Sequence, residues 1–219
     1  MVDMIPTLDV AQIPGTVQIS GRILARNIPY EQFMVTEYGE THVEWVNGVV
    51  IAMPSISWRH NLLTQFLTML ILAFLERHGG GRVLNDPMLM KLPSVPSSRA
   101  PDVLVLLPER EGQLQQNQVV GPANLVIEIV SPGSVRIDTV DKRREYELGG
   151  VPEFWLIDPM KRRALFLRLN ESGVYDEIEP EDGVYTSAVL VGFRLPVEML
   201  WQDPLPTVSE TVALAAGMG

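Results

Sequence analysis

The sequence predicts an α+β fold, α/β three-layer-like in outline, with a mixed β-sheet flanked by helices. Three observations predict it. Short apolar runs rich in β-branched residues, such as Val103-Leu104-Val105-Leu106-Leu107 and Leu125-Val126-Ile127-Glu128-Ile129-Val130, recur between turn signals. Two stretches, 57–77 and 138–148, have the length and the stop signals of helices. Asn47-Gly48 and Pro159-Met160-Lys161 each join two strand-like runs as a hairpin would. That mixture points to helices packed on a mostly mixed or antiparallel sheet.

In chain order, residues 1–25 are punctuated by Pro and Gly without a sustained period and read as a variable extension. A short helix begins at Pro29 and Gly39 ends it. A hairpin spans 43–53, closed by Pro54 and Ser55. The helix from about Ser57 to Arg77 stops at Gly79-Gly80-Gly81. Residues 83–92 form a strand interrupted at Pro87, and 93–98 form a loop. Two strands follow, joined by a polar segment from Pro108 to Asn124, and then the helix 138–148, stopped by Gly149-Gly150. Residues 154–158 and 164–167 pair as a hairpin, and 174–178 and 185–190 complete the sheet. The expected main domain is 26–205, and 206–219 is read as a C-terminal tail.

At 219 residues the chain suits one domain with a sizeable core, and 46% hydrophobic with 20% charged residues is ordinary for a globular protein. No cysteine is present, which excludes disulfides and thiolate metal sites. The first twenty residues lack a basic segment followed by an apolar core, so no signal peptide is expected. The apolar stretch at 62–75 is interrupted by Thr64, Gln65 and Thr68, too polar to span a bilayer. No membrane association and a cytoplasmic location are expected. A net charge of −10 argues against a dedicated nucleic-acid binder, since affinity for phosphates comes mainly from Lys and Arg. It leaves room for a nuclease with locally concentrated cations such as Lys142-Arg143-Arg144; Lys161-Arg162-Arg163 reads as a solvated run.

The residue that speaks most about function is Glu128. It interrupts a run that reads as a strand buried on both faces, where an unpartnered carboxylate costs several kcal/mol. Asp102 opens the neighbouring run. Two adjacent strands with one acid each can share a divalent ion, and oxygen-only ligands suit Mg²⁺ or Mn²⁺. Asp138, Lys142 and Tyr146 follow at i, i+4 and i+8 on one helix face, so Lys142 can project toward the sheet. Together these residues suggest a metal-dependent phosphodiester hydrolase.

The sequence resembles the Uma2 family (DUF820) of restriction-endonuclease-like proteins, within the PD-(D/E)XK nuclease fold, over roughly residues 28 to 200. The resemblance is carried by Val43-Glu44-Trp45-Val46-Asn47-Gly48, His60, Arg99-Ala100-Pro101-Asp102-Val103, and Leu125 through Pro132. It continues through Asp138, Lys142, Tyr146 and the run from Gly150 to Pro159. The resemblance implies a restriction-endonuclease-like core and a Mg²⁺- or Mn²⁺-dependent endonuclease acting on DNA as a homodimer. It implies Glu44, Asp102 and Glu128 as metal ligands, with the backbone carbonyl of Ile129 as a further one. In the wider fold a catalytic lysine stands two residues after the second acid. Here that position is Val130, and the resemblance implies that Lys142 takes the role.

Other readings stand beside these. Glu128 can be paired with a buried Arg99 or Arg136, Asp102 can close a turn, and Glu44 can be an exposed hairpin residue paired across the strand. Lys142 can belong to a solvated face. His60 is read as structural, Tyr146 as a packing and orienting residue, and Trp45, Phe154 and Trp155 as core. For the whole chain, the alternatives are a non-catalytic dimeric nuclease-fold binding or scaffolding protein, and a hydrolase of nucleotides or other phosphoesters.

Overall fold

The computed structural model describes residues 21–39 and 42–218. Arg22–Ala25 (β1) precedes a single helical turn, Tyr30–Phe33 (α1). The hairpin is Val43–Val46 (β2) and Val49–Ala52 (β3). Its corner residues Asn47 and Gly48 sit at φ 46° and 79°, the left-handed pair that a two-residue hairpin turn requires. Trp58–Leu75 (α2) is capped by Ser57, whose side chain accepts the His60 N–H at 3.2 Å.

Arg82–Asn85 (β4), Leu89–Leu92 (β5), Ser97–Arg99 (β6), Val103–Leu106 (β7), Gln118–Val120 (β8) and Leu125–Ile129 (β9) follow. A π-helical turn, Ile137–Lys142, runs straight into Arg143–Gly149 (α3). The remainder is Glu153–Asp158 (β10), Arg163–Leu169 (β11), Tyr175–Glu177 (β12), Val184–Thr186 (β13), Arg194–Pro196 (β14) and Val208–Ala216 (α4).

The strands form two six-stranded sheets, in the orders β1-β3-β2-β6-β5-β8 and β12-β11-β10-β9-β7-β4, and a small β13-β14 ribbon. β9 sits centrally in the second sheet, antiparallel to β7 and parallel to β10. Its side chains alternate between two cores, as a period of two dictates. Leu125, Ile127 and Ile129 join the core made with Leu63, Phe66, Leu67 and Leu70 of α2, whereas Val126 and Val130 join the one containing Met90, Tyr146 and Leu156. The second sheet thus lies between α2 with α4 on one side and the first sheet with α3 on the other, in three layers. Glu128 points to the second of these faces.

Several boundaries differ from expectation. The end of the expected N-terminal extension is an edge strand, β1 paired with β3; residues 1–20 lie outside the described residues. The interrupted strand 83–92 is two strands in different sheets, parted at the Asp86-Pro87 turn, because proline cannot donate to a ladder. The expected 93–98 loop contains the start of β6, which pairs with β2 and β5. Its Ser-Ser-Arg sequence carries no apolar signal, yet all three side chains are buried, with Arg99 paired to Glu44 and Glu145. The polar segment 108–124 contains β8, which pairs in parallel with β5. The expected C-terminal tail is a helix, α4, whose Thr211, Ala215 and following Met218 are buried. Its capping box, Thr207 with Glu210, was readable in the sequence as Thr-x-x-Glu.

Candidate metal and active site

The two sheets meet over a pair of buried acids. Glu44 from β2 and Glu128 from β9 face one another across the space that Lys142 enters from the π-helical turn. Lys142 Nζ donates to Glu128 Oε2 at 2.8 Å and lies 3.4 Å from Glu44 Oε1 and 3.5 Å from Asp138 Oδ1. Tyr146 OH donates to the other Glu128 oxygen at 2.5 Å. The i, i+4, i+8 spacing does place Asp138, Lys142 and Tyr146 on one face. The wider π turn helps, since at more than four residues per turn it keeps positions 138 and 142 nearly in line. Lys142 is 2% exposed and Glu128 1%, so the solvated reading of this lysine does not hold.

Glu44 is fully buried, not an exposed hairpin residue. Arg99 of β6 donates to its Oε2 at 2.7 Å, and the Ala100 N–H donates to its Oε1 at 3.1 Å. The same Arg99 donates side-on to Glu145 of α3, from Nε to Oε2 at 2.7 Å and from Nη2 to Oε1 at 2.5 Å. Arg99 is therefore the partner of Glu44 and Glu145 rather than of Glu128. A chain of buried charge runs from α3 through β6 and β2 to Lys142 and β9. Glu145 was the residue that sequence reasoning missed, because Lys-Arg-Arg-Glu is indistinguishable from a solvated helix face.

Asp102 stands between the end of β6 and the start of β7. Its Oδ2 accepts the Ile129 N–H at 2.6 Å and lies 3.0 Å from His60 Nε2 of α2. Asn85 ties down its backbone carbonyl at 2.8 Å. Asp102, Glu128, Ile129, Asp138 and Lys142 line one cavity of about 40 Å³, room for an ion and a water or two. His42, Asp86, His60 and Ser131 complete its wall, with His42 Nδ1 in hydrogen-bond contact with Asp86. Trp155 and Phe154 are core, as expected.

The electrostatics of this cavity are unbalanced. Its wall carries more acids than cations, with Asp86, Asp102, Glu128 and Asp138 beside Lys142, while Arg99 holds Glu44 and Glu145 behind it. Burial pushes the Glu128 carboxyl well up; Lys142 opposes this, and Asp102 and Asp138 add to it. Burial likewise raises Asp138 to about 6, again against the pull of Lys142. For Glu44, burial alone would raise the pKa, but Lys142 and Arg99 together outweigh it and hold it below the ordinary value. Lys142 stays charged, because its acidic neighbours overcome the cost of burying it.

Residues 30–198 match the model of the Uma2 family, described as putative restriction endonuclease. The chain belongs to the Uma2 family. A crystal structure of a DUF820 putative nuclease from Anabaena variabilis ATCC 29413 superposes with a TM-score of 0.64 at 16% identity, over 78% of this chain and 96% of that one. At that identity the likeness is one of fold. No curated protein matches the chain. The Uma2 membership puts the protein at a coarse level among restriction-endonuclease-like nucleases, and no helix among the described residues is long and apolar enough to cross a membrane.

Proposed function

We propose that this Uma2 protein is a divalent-metal-dependent endonuclease that hydrolyses DNA phosphodiester bonds. The observation that carries the reading is the convergence of Asp102, Glu128 and Lys142 on one ion-sized cavity whose wall holds more acids than cations. Among the described residues no three His, Asp or Glu side chains are grouped as a cage for an ion. Mg²⁺ does not need one, since it commonly uses one or two carboxylates and keeps several waters. Asp102 and Glu128, with the Ile129 carbonyl, fit that pattern, and a wall richer in acids than in cations fits a divalent cation. Glu44 fits it less well as a direct ligand, because it does not line the cavity and Arg99, Ala100 and Lys142 hold it from behind.

A divalent ion bound there would supply Lewis-acid charge to a scissile phosphate. The protein's own groups do the rest. Lys142, held by Glu128, keeps a fixed ammonium where the phosphate or the attacking water would lie. Tyr146 holds Glu128 in place, and burial together with Glu128 raises the tyrosine's pKa, so the hydroxyl keeps its proton. His60 fixes the direction of Asp102. DNA as substrate and a homodimer as the working form follow by analogy with the fold.

A plasmid-cleavage assay with Mg²⁺ or Mn²⁺ tests the reading, with wild type beside Glu128→Ala. Wild type should nick or linearise DNA and the variant should lose about a hundredfold or more; equal activity in both proteins refutes it. One observation favours a second reading, a non-catalytic nuclease-fold binding module: both Glu128 oxygens are already taken by Lys142 and Tyr146. Calorimetric titration with Mn²⁺ separates the two, because the binding module would show no Glu128-dependent heat.

A further inference from the structure

Helix α2 carries more apolar surface than its own fold covers. Between Arg59 and Glu76 the sequence has no Asp, Glu, Lys or Arg. One side of the helix, with Leu63, Phe66, Leu67, Leu70, Ile71 and Phe74, is buried in the core. The opposite side, with Trp58, Leu62, Gln65, Met69, Leu72 and Glu76, repeats at alternating steps of four and three. That spacing is the a/d seam of a helix that packs on another helix. A helix side turned to water is ordinarily polar, yet Trp58 is 65% exposed, Leu62 40% and Leu72 46%. An open groove runs along the C-terminal half of this side, lined by Gln65, Thr68, Met69, Leu72, Ala73 and Glu76. Residues 65, 68, 69 and 72, and again 69, 72, 73 and 76, stand at i, i+3, i+4 and i+7. Each set is the four-residue hole that receives one side chain of a facing helix.

The seam is complementary to itself. An antiparallel pair of α2 helices, related by a twofold axis level with Leu67, sets Leu62 against Leu72 of the second copy, Gln65 against Met69, and Trp58 against Glu76. Leucine meets leucine, and every contact occurs twice, as an isologous interface requires. At the ends the match is electrostatic. Glu76 is the seam's one charge and caps the C-terminal end of its own helix, where a carboxylate is unfavourable. Across the seam it meets the N-terminal end of the second helix and the indole N–H of Trp58, a donor. A parallel pair would instead set Glu76 against Glu76. We propose that α2 is the homodimer interface of this protein, packed antiparallel along this seam against α2 of a second copy. The proposal rests on the reading above only in taking a homodimer as the working form. The same helix carries His60, 3.0 Å from Asp102, so interface and cavity share one element, with one cavity toward each end of the seam.

A seam of about 27 Å is small for a protein interface, which sets the expected dissociation constant in the micromolar range. Sedimentation velocity of the full chain between about 1 and 100 µM, without metal or DNA, tests the proposal. Wild type should pass from monomer to dimer. L62E and L72K should each weaken the dimer at least about tenfold. Because both leucines are exposed, the melting temperature at about 1 µM should stay within about 2 °C of wild type. L62E and L72K combined in one chain should dimerise at least about fivefold more tightly than either single variant, since opposite charges then face each other across an antiparallel seam. A wild type that stays monomeric at about 100 µM overturns the proposal, leaves this face to a different partner, and leaves the nuclease reading intact. A dimer that neither single variant weakens overturns it in favour of another surface. A combined variant that recovers nothing overturns the antiparallel pairing, and a fall in melting temperature at low concentration overturns it in favour of a structural role for the two leucines. Plasmid cleavage is read separately, so a dimer that cleaves no DNA sinks the nuclease reading and leaves the interface standing.

Discussion

Replacing Lys142 with methionine probes the electrostatics of the site without relying on activity. Methionine fills most of the same volume and leaves no ammonium. Lys142 stands 2.8 Å from Glu128, 3.4 Å from Glu44 and 3.5 Å from Asp138. Breaking a buried pair by removing one partner costs about 3–5 kcal/mol, because the other partner is left charged and dry. For a chain of this size each kcal/mol moves the melting point by about 2–4 °C, so Lys142→Met should melt about 6–20 °C lower at pH 7.5. The loss should also depend on pH. Glu128 and Asp138 already have folded pKa values above their unfolded ones, from burial first of all, and without Lys142 they rise further. A carboxyl raised in the folded state binds more protons folded than unfolded. Stability is then lost as pH rises from the unfolded value near 4 through the folded one, and it returns on acidification. The variant's deficit should shrink markedly between pH 7.5 and pH 5. Millimolar Mn²⁺ should raise its melting point more than that of wild type, since the ion replaces the missing charge. Thermal melts by circular dichroism at several pH values, with and without metal, measure all of this. A variant that melts like wild type, or whose deficit is the same at pH 5 and 7.5, would refute the account of Lys142 as the counter-charge of a buried acid cluster.

Arg99→Met should cost about 3–5 kcal/mol by denaturant titration, because both Glu44 and Glu145 lose their buried partner; a change below about 1 kcal/mol would show that the Arg99 network carries no weight. Mn²⁺ affinity should increase between pH 5 and pH 7, as Asp138, raised to about 6 by burial, gives up its proton. Calorimetry in buffers of different ionisation enthalpy should detect proton release below pH 6, and an affinity that is flat across that range would sink the link between Asp138 and the ion.

The fold was legible in the sequence where local signals agree with tertiary demands. The Asn47-Gly48 turn, the Ser57 cap and the continuous apolar runs of β7 and β9 each mean in isolation what they mean in the molecule. Glu128 was legible because a charge inside an apolar run is anomalous at any level of reading. β6 was not, since Ser97, Ser98 and Arg99 are buried but carry no hydrophobic pattern, Arg99 by its pairing with Glu44. Glu145 and Lys142 show the same limit from the other side: five charged residues in a row, 141–145, look solvated, and only the docking of the π turn and α3 buries three of them.

The displaced lysine follows from the alternation of β9. In the wider nuclease fold, as the resemblance implies, the lysine stands two residues after the second acid and so on the same face of the same strand. Here Val130 holds that place and packs with Val126, Tyr146 and Leu156. Lys142 reaches the same face from the element that covers it, and its Nζ meets Glu128 at 2.8 Å. A lysine on the strand would be positioned by the sheet's own ladder, whereas a lysine on the π turn is positioned only as well as that helix is docked. The docking rests on two polar clamps, Tyr146 on Glu128 and Glu145 on Arg99. The same Arg99 also holds Glu44, which faces Lys142 from the other sheet. The buried charge network therefore substitutes for the backbone geometry that the strand position would have provided, and this is why so much charge is sequestered around one ammonium group.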